Sequence, residues 1–224
     1  MPDAQKTHDI GMPIYKGMWH YRPGWENEVT PLAETVAGDN STVYRFGLCS
    51  HTGTYVETSQ HKLANNILLD DFKLTDLVCT CKVLCLASGQ PGKEVTLDEF
   101  QSAMDQSGLS VNAGDSLLIA TGWGMNHAAS DYLDACPYFS RRLVEWLCQT
   151  RLHLLGVDVP IIDHPITPFG AVKNLFMSNP RLLLIAPLVI DLAVVTSGTY
   201  LLVAAPLNIQ GVSASLCRPL LIEL

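Results

Sequence analysis

The chain has 224 residues, 48% of them hydrophobic and only 16% charged, with a formal net charge of −8. That length suits one large domain around one core, and the acidic balance repels nucleic-acid backbones and anionic membrane surfaces. No apolar run reaches the ~20 residues that span a bilayer, because the longest candidate, Leu182 to Val195, is broken by Pro187 and Asp191.

Met1 to Asp9 is polar and lacks the apolar stretch of a signal peptide. Asp9 to Thr30 is rich in Gly, Pro and aromatic residues and reads as an irregular arm with a strand near Asp9 to Ile14. Thr42 to Cys49 alternates and carries β-branched and aromatic residues, so it reads as a strand. Cys79 to Leu86 reads as a second, buried strand. Its cysteines, Cys79, Cys81 and Cys85, act there as small hydrophobes rather than zinc ligands. The chain has seven cysteines, an odd number, which fits reduced thiols in a cytoplasmic protein.

From Val95 a helix is expected, with Thr96 and Glu99 at capping-box spacing and Gly108 as its stop. Ser116 to Thr121 is a short apolar run of the kind covered on both faces of a sheet. Ser140 opens a helix over Arg141 to Gln149, and Leu154 to Val157 is a buried strand that leads to Asp158, Asp163 and His164. A helix near Ala171 to Met177 is ended by Pro180, and strands follow at Leu182 to Ile185, Tyr200 to Ala205 and Leu220 to Ile222. This interleaving predicts an α/β class, a mixed β/α layered fold with one core. So low a charge fraction also implies surface buried between subunits, and a homo-oligomer is expected.

The densest polar cluster runs from Ser50 to His61, straight after an apolar strand. Gly53 permits a tight turn, past which His51, Tyr55, Glu57 and His61 can converge. In an extended segment Tyr55, Glu57, Ser59 and His61 share one face. The competing reading is a loop with two solvated histidines.

The same segment resembles the signature of the cyclase family, which includes bacterial kynurenine formamidase and isatin hydrolase: H-x-G-T-H-x-D-x-P-x-H. His51, Gly53, Thr54 and His61 match it, while Tyr55 replaces the second His, Glu57 the Asp and Ser59 the Pro. Four further segments resemble the family in order: Asp9 to Pro13, Gly114 to Trp123, Leu155 to Asp163, and Pro206 to Gly211 with Arg218. The resemblance implies a single cyclase-like domain over residues 1–224, of the swivelling β/β/α kind. Residues 1–30 are its N-terminal arm, covering the active site or a partner subunit, and dimers or tetramers are implied.

In that family one or two divalent metals are bound by the signature residues and by a downstream His and Glu. Carried over, the first site falls on His51, Tyr55 and Glu57, and the downstream pair on Asn174 and Ala186. Tyr55 is a poor ligand because its phenol must first lose a proton. Asn174 is neutral and Ala186 offers no donor. Two competent ligands, His51 and Glu57, fall short of the usual three, although His61 or His164 could complete a set. The expectation is therefore no metal cofactor, with zinc or manganese on His51 and Glu57 as the alternative.

Without a metal, His61 would be general acid or base. Glu57 would orient His51 or His61, or take a proton itself, and Tyr55 would donate a hydrogen bond to an oxyanion. Trp19, His20, Tyr21 and Trp25 lie on the arm that covers the site in the family. Trp19, His20 and Trp25, with Asn174, are the expected contacts of a small planar carbonyl compound. Asp158 and Asp163 read as loop supports and Trp123 as core. Three readings remain open: a metal-independent acid–base enzyme that cyclises, dehydrates or isomerises its substrate; a metal-dependent amide or lactam hydrolase; and a non-catalytic binding protein.

Overall fold

The alternation of apolar runs and capped helices builds a curled mixed sheet. The computed structural model describes residues 6–224, and the first five residues of the expected arm lie outside the described residues. In chain order the strands are β1 (Thr7–Asp9), β2 (Glu28–Ala33), β3 (Val43–Gly47), β4 (Tyr55–Glu57), β5 (Val78–Cys85), β6 (Glu94–Val95) and β7 (Ser116–Ala120). They continue with β8 (Tyr138–Phe139), β9 (Leu154–Val157), β10 (Leu183–Ala186), β11 (Gly198–Val203), β12 (Ala214–Leu216) and β13 (Leu220–Glu223). The helices are α1 (Leu74–Leu77), α2 (Leu97–Ser107), α3 (Arg141–Thr150) and α4 (Ala171–Ser178).

Among the described residues, nine strands form one sheet in the order β1-β13-β11-β5-β7-β9-β10-β4-β12. Its centre, β5-β7-β9-β10, is parallel, and the flanking pairs are antiparallel. Parallel strands need both faces covered, and the alternation along β7 supplies both. Leu117 and Ile119 pack with Phe100 of α2, Leu143 and Leu147 of α3, and Leu175 and Phe176 of α4. Leu118 and Ala120 face the opposite cluster with Val56, Leu183, Ile185 and Leu202.

The capping signals act as read. Thr96 Oγ1 accepts from Glu99 N at 3.2 Å, the Glu99 carboxylate accepts from Thr96 N, and Gly108 closes α2 at φ 67°. Ser140 Oγ accepts from Leu143 N at 3.2 Å and starts α3. Cys81 is buried in β5, and all seven cysteines are free.

Three expectations change. The first strand is Thr7–Asp9 rather than Asp9 to Ile14, in keeping with Pro13, which cannot donate to a ladder. The Thr42–Cys49 segment does form a strand, but it pairs with β2 in a separate hairpin that shares no ladder with the main sheet. Finally, the extended run from Tyr55 stops at Glu57, and Ser59–His61 turns as a 3-10 helix.

Candidate active site

Gly53, at φ 65°, makes the turn into β4, and a Cβ there would press on Ile14 at 3.0 Å. Thr54 then ties three segments together: its hydroxyl accepts from Met12 N at 2.8 Å and donates to Pro187 O at 2.5 Å. Strand β4 is held between β10 and β12, with Tyr55 opposite Ala186 and Leu216. With a side-chain period of two, Val56 enters the rear core while Tyr55 and Glu57 line a cavity of about 680 Å³. The turn at Ser59–His61 is fixed by Ser59 Oγ donating to Asn66 Oδ1 at 2.6 Å and Thr58 Oγ1 donating to Ile67 O at 2.6 Å. It swings His61 back over Glu57.

The result is a convergence on one carboxylate oxygen. His51 Nε2 lies 3.3 Å and His61 Nε2 3.5 Å from Glu57 Oε2. Glu57 is buried and both imidazoles are largely so, which is the pairing that a buried carboxylate requires. Ser50 Oγ sits 2.8 Å from His51 Nδ1 and sets that ring's orientation. Burial pushes the His61 pKa down, and the Glu57 carboxylate only partly offsets it. The neutral ring is thus favoured, the form that accepts a proton or binds a metal.

Among the described residues, His51, Glu57 and His61 are the group whose ligand atoms could hold a metal, all within 4.8 Å of one another. Donors at zinc-bond length around a tetrahedral ion stand roughly 3.3–3.4 Å apart, and the two edges to Glu57 Oε2, 3.3 and 3.5 Å, fit that spacing. Two histidines and one carboxylate also match the donor set of an open, three-ligand zinc site. Of the two residues weighed as a third donor beside His51 and Glu57, His61 is the one that lies with them. His164 stays outside it, because its Nδ1 accepts from Ile166 N and Thr167 N, each at 3.1 Å.

Tyr55 is not where an oxyanion donor should be. Its hydroxyl lies 3.0 Å from that of Tyr21, which in turn donates to Pro160 O at 2.7 Å. A carbonyl has no proton to give, so Tyr21 must spend its own on Pro160 and accept from Tyr55. Tyr55 therefore turns a lone pair, not a proton, to the cavity. Burial holds the Tyr55 pKa well above the usual phenol value, so it stays neutral and makes a poor ligand.

The other expected contacts divide. Trp25 and Ala186 line the cavity. Trp19 and His20 line a much smaller hollow behind His51. There Trp19 packs edge-on against Tyr21 and gives Nε1–H to Met12 Sδ, and His20 pairs with Glu26 at 3.5 Å. Asn174 faces a groove by α3, bonded to Phe169 O, while its neighbours Val172 and Lys173 reach the cavity. Asp158 accepts from Thr121 N, Thr121 Oγ1 and Gly122 N at 2.6–2.9 Å. Asp163 accepts from Phe169 N and Ala171 N at the start of α4. Trp123 is buried, with its indole on Tyr132 O.

Sequence reasoning did not place Arg22, Lys62 or Lys173 at this cavity, yet all three line it, beside His164, which was weighed there only as a metal donor. Two signals were present: Arg22 lies between Tyr21 and Trp25 in the aromatic arm, and Lys62 follows His61.

Comparison with known proteins fits this geometry. The family model described as "Putative cyclase" matches residues 8–164. Kynurenine formamidase of Geobacillus thermodenitrificans (strain NG80-2) is 25% identical over 218 residues, covering 96% of this chain and 94% of that protein. A structure of a predicted metal-dependent hydrolase from Bacillus stearothermophilus superposes with a TM-score of 0.79 at 25% identity, covering 99% of this chain and all, 100%, of that one. Isatin hydrolase A from Ralstonia solanacearum shares the fold, with a TM-score of 0.80 at 18% identity, covering 98% of this chain and 92% of that one.

Proposed function

The chain belongs to the cyclase family, and on that footing we propose that it hydrolyses an amide or lactam C–N bond in a small planar carbonyl compound, with His51, Glu57 and His61 holding a divalent ion of zinc type. The observation that carries this reading is the meeting of His51 Nε2 and His61 Nε2 on Glu57 Oε2. A bound ion would supply Lewis acidity, polarising a carbonyl and lowering the pKa of water.

The protein's own groups do the rest. With an ion on its Nε2, His51 would carry its proton on Nδ1 and give it to Ser50, whose Oγ lies 2.8 Å away. Tyr21, Trp25, Val159 and Ile161 give the cavity flat apolar walls, and the Tyr55 lone pair can accept from the N–H of an amide. His61, about a quarter exposed, is the group placed to exchange protons with the cavity if it is not bound to an ion.

A second reading keeps its own support: acid–base chemistry without a metal. Glu57 bridges two imidazoles, and the lowered pKa of His61 suits a general base. The experiment that separates the two is turnover of N-formyl aryl amines and aryl lactams by protein treated with chelator and then reloaded with zinc or manganese. Turnover that needs the ion supports hydrolysis by the first route; turnover indifferent to it supports the second.

We also propose that the protein works as a homo-oligomer in a reducing compartment. Seven free cysteines support the latter. The β2–β3 hairpin, with Val29, Leu32, Tyr44 and Phe46 exposed, supports the former. Among the described residues no helix is long and apolar enough to cross a membrane.

A further inference from the structure

Three of the chain's 14 Lys and Arg residues, Arg22, Lys62 and Lys173, line this one cavity in a protein of net charge −8. Among the described residues none of the three has a carboxylate at ion-pair distance; the same holds for Lys16, Arg45, Lys73, Arg141, Arg151 and Arg181, but none of those six lines this cavity, and the other five cations are paired elsewhere. The lining acids do not offset them. Glu57 is committed to the two histidines, and Asp163 is turned to the amides that start α4. Asp134 is the one lining acid left, and it is exposed at the rim as Arg22, Lys62 and Lys173 are, one carboxylate against three cations.

His164 adds a donor of fixed direction. Two backbone N–H groups point at its Nδ1, so the ring proton must sit on Nε2. The ring is braced edge-on by Tyr138 at 4.5 Å. Arg22 is likewise held, its guanidinium 5.5 Å from the Trp25 ring centre. Unpaired cations and a fixed N–H around an apolar cavity are the chemistry of anion capture.

From this we infer that the substrate carries a carboxylate on a planar body, received by Arg22, Lys62 and Lys173 with the His164 Nε2–H at the cavity rim. The inference rests on this cavity being the substrate site, but not on the metal or on the reaction. The charge would fix the orientation of the aromatic body against Trp25 and Tyr21 and so present one end of it to Glu57. It would also raise the encounter rate in a salt-dependent way.

The test uses the full chain after chelator treatment, titrated with benzoate and with its neutral isostere benzamide and followed by tryptophan fluorescence. Benzoate should bind about tenfold more tightly than benzamide, and the preference should shrink as salt is raised. Arg22→Gln and Lys173→Gln should each weaken benzoate several-fold and leave benzamide unchanged. Equal affinity for the two probes, no binding of either, or a benzoate preference that survives in the Arg22→Gln/Lys62→Gln/Lys173→Gln protein overturns the inference. Because no turnover is read, failure of the hydrolase reading shows elsewhere, as no hydrolysis by metal-loaded protein.

Discussion

Tyr55 gives its phenolic proton to Tyr21, because Tyr21 has already given its own to the carbonyl of Pro160. The ordered pair locks the N-terminal arm to β4 and to the loop after β9, and it makes the tyrosine in the family's histidine position an acceptor.

The two tyrosines should therefore respond unequally to loss of the hydroxyl. Tyr21→Phe strands both the Pro160 carbonyl and the Tyr55 hydroxyl and should cost roughly 1–3 kcal/mol or more. Tyr55→Phe leaves the bond from Tyr21 to Pro160 in place and should cost about 1 kcal/mol or less. Urea unfolding of the two variants measures this; equal losses, or a larger loss in Tyr55→Phe, would contradict the assigned direction.

Ser50 touches no substrate in this account, but it orients His51 through Nδ1. Ser50→Ala should lower zinc affinity by roughly 10–100-fold with little change in thermal stability. Unaltered zinc binding, measured by competition with a chromophoric chelator, would remove Ser50 from that role.

Much of this was written in the residues. The Thr96–Glu99 box, the Ser140 cap and the apolar run Ser116 to Thr121 each specify local structure by short-range hydrogen bonding or burial, and each forms. His51 and Glu57 were legible as a motif. Convergence of His61 with them was expected as well, but on an extended face; the 3-10 turn that delivers it was not legible, because Asn66 and Ile67, which select that turn, lie downstream. On α4 one residue is a rotation of about 100°, enough to turn Asn174 to the α3 groove and bring Lys173 to the cavity. The cationic rim comes from loops and a helix far apart in sequence, so no local pattern carried it.

Asp158 offers a pH signature. Burial pushes its carboxyl up to about 6, against the bonds from Thr121 and Gly122. In the unfolded chain it titrates near 3.9, so between those values the folded protein holds a proton that the unfolded one has lost. Its contribution is therefore fully present below about pH 3.9 and is lost as pH rises through about 6. The stability of wild type relative to Asp158→Asn should fall by up to about 3 kcal/mol from pH 4 to pH 7. A difference that is flat or rises over that range would refute the assignment.

The hairpin predicts assembly. Every residue of β3 is exposed, Phe46 at 63%, the register puts Val29, Pro31, Tyr44 and Phe46 on one face, and a two-stranded ribbon is at best marginally stable alone in water. Light scattering should show an oligomer, and Phe46→Glu should shift it toward monomer. A wild-type protein that is monomeric at micromolar concentration would contradict this.

The most direct test of the central claim is zinc titration of metal-free protein by calorimetry, wild type beside His61→Ala. The wild type should bind one ion per chain, with binding lost or weakened at least about a hundredfold when the third donor is removed. No stoichiometric binding by the wild type, or binding indifferent to His61, would contradict it.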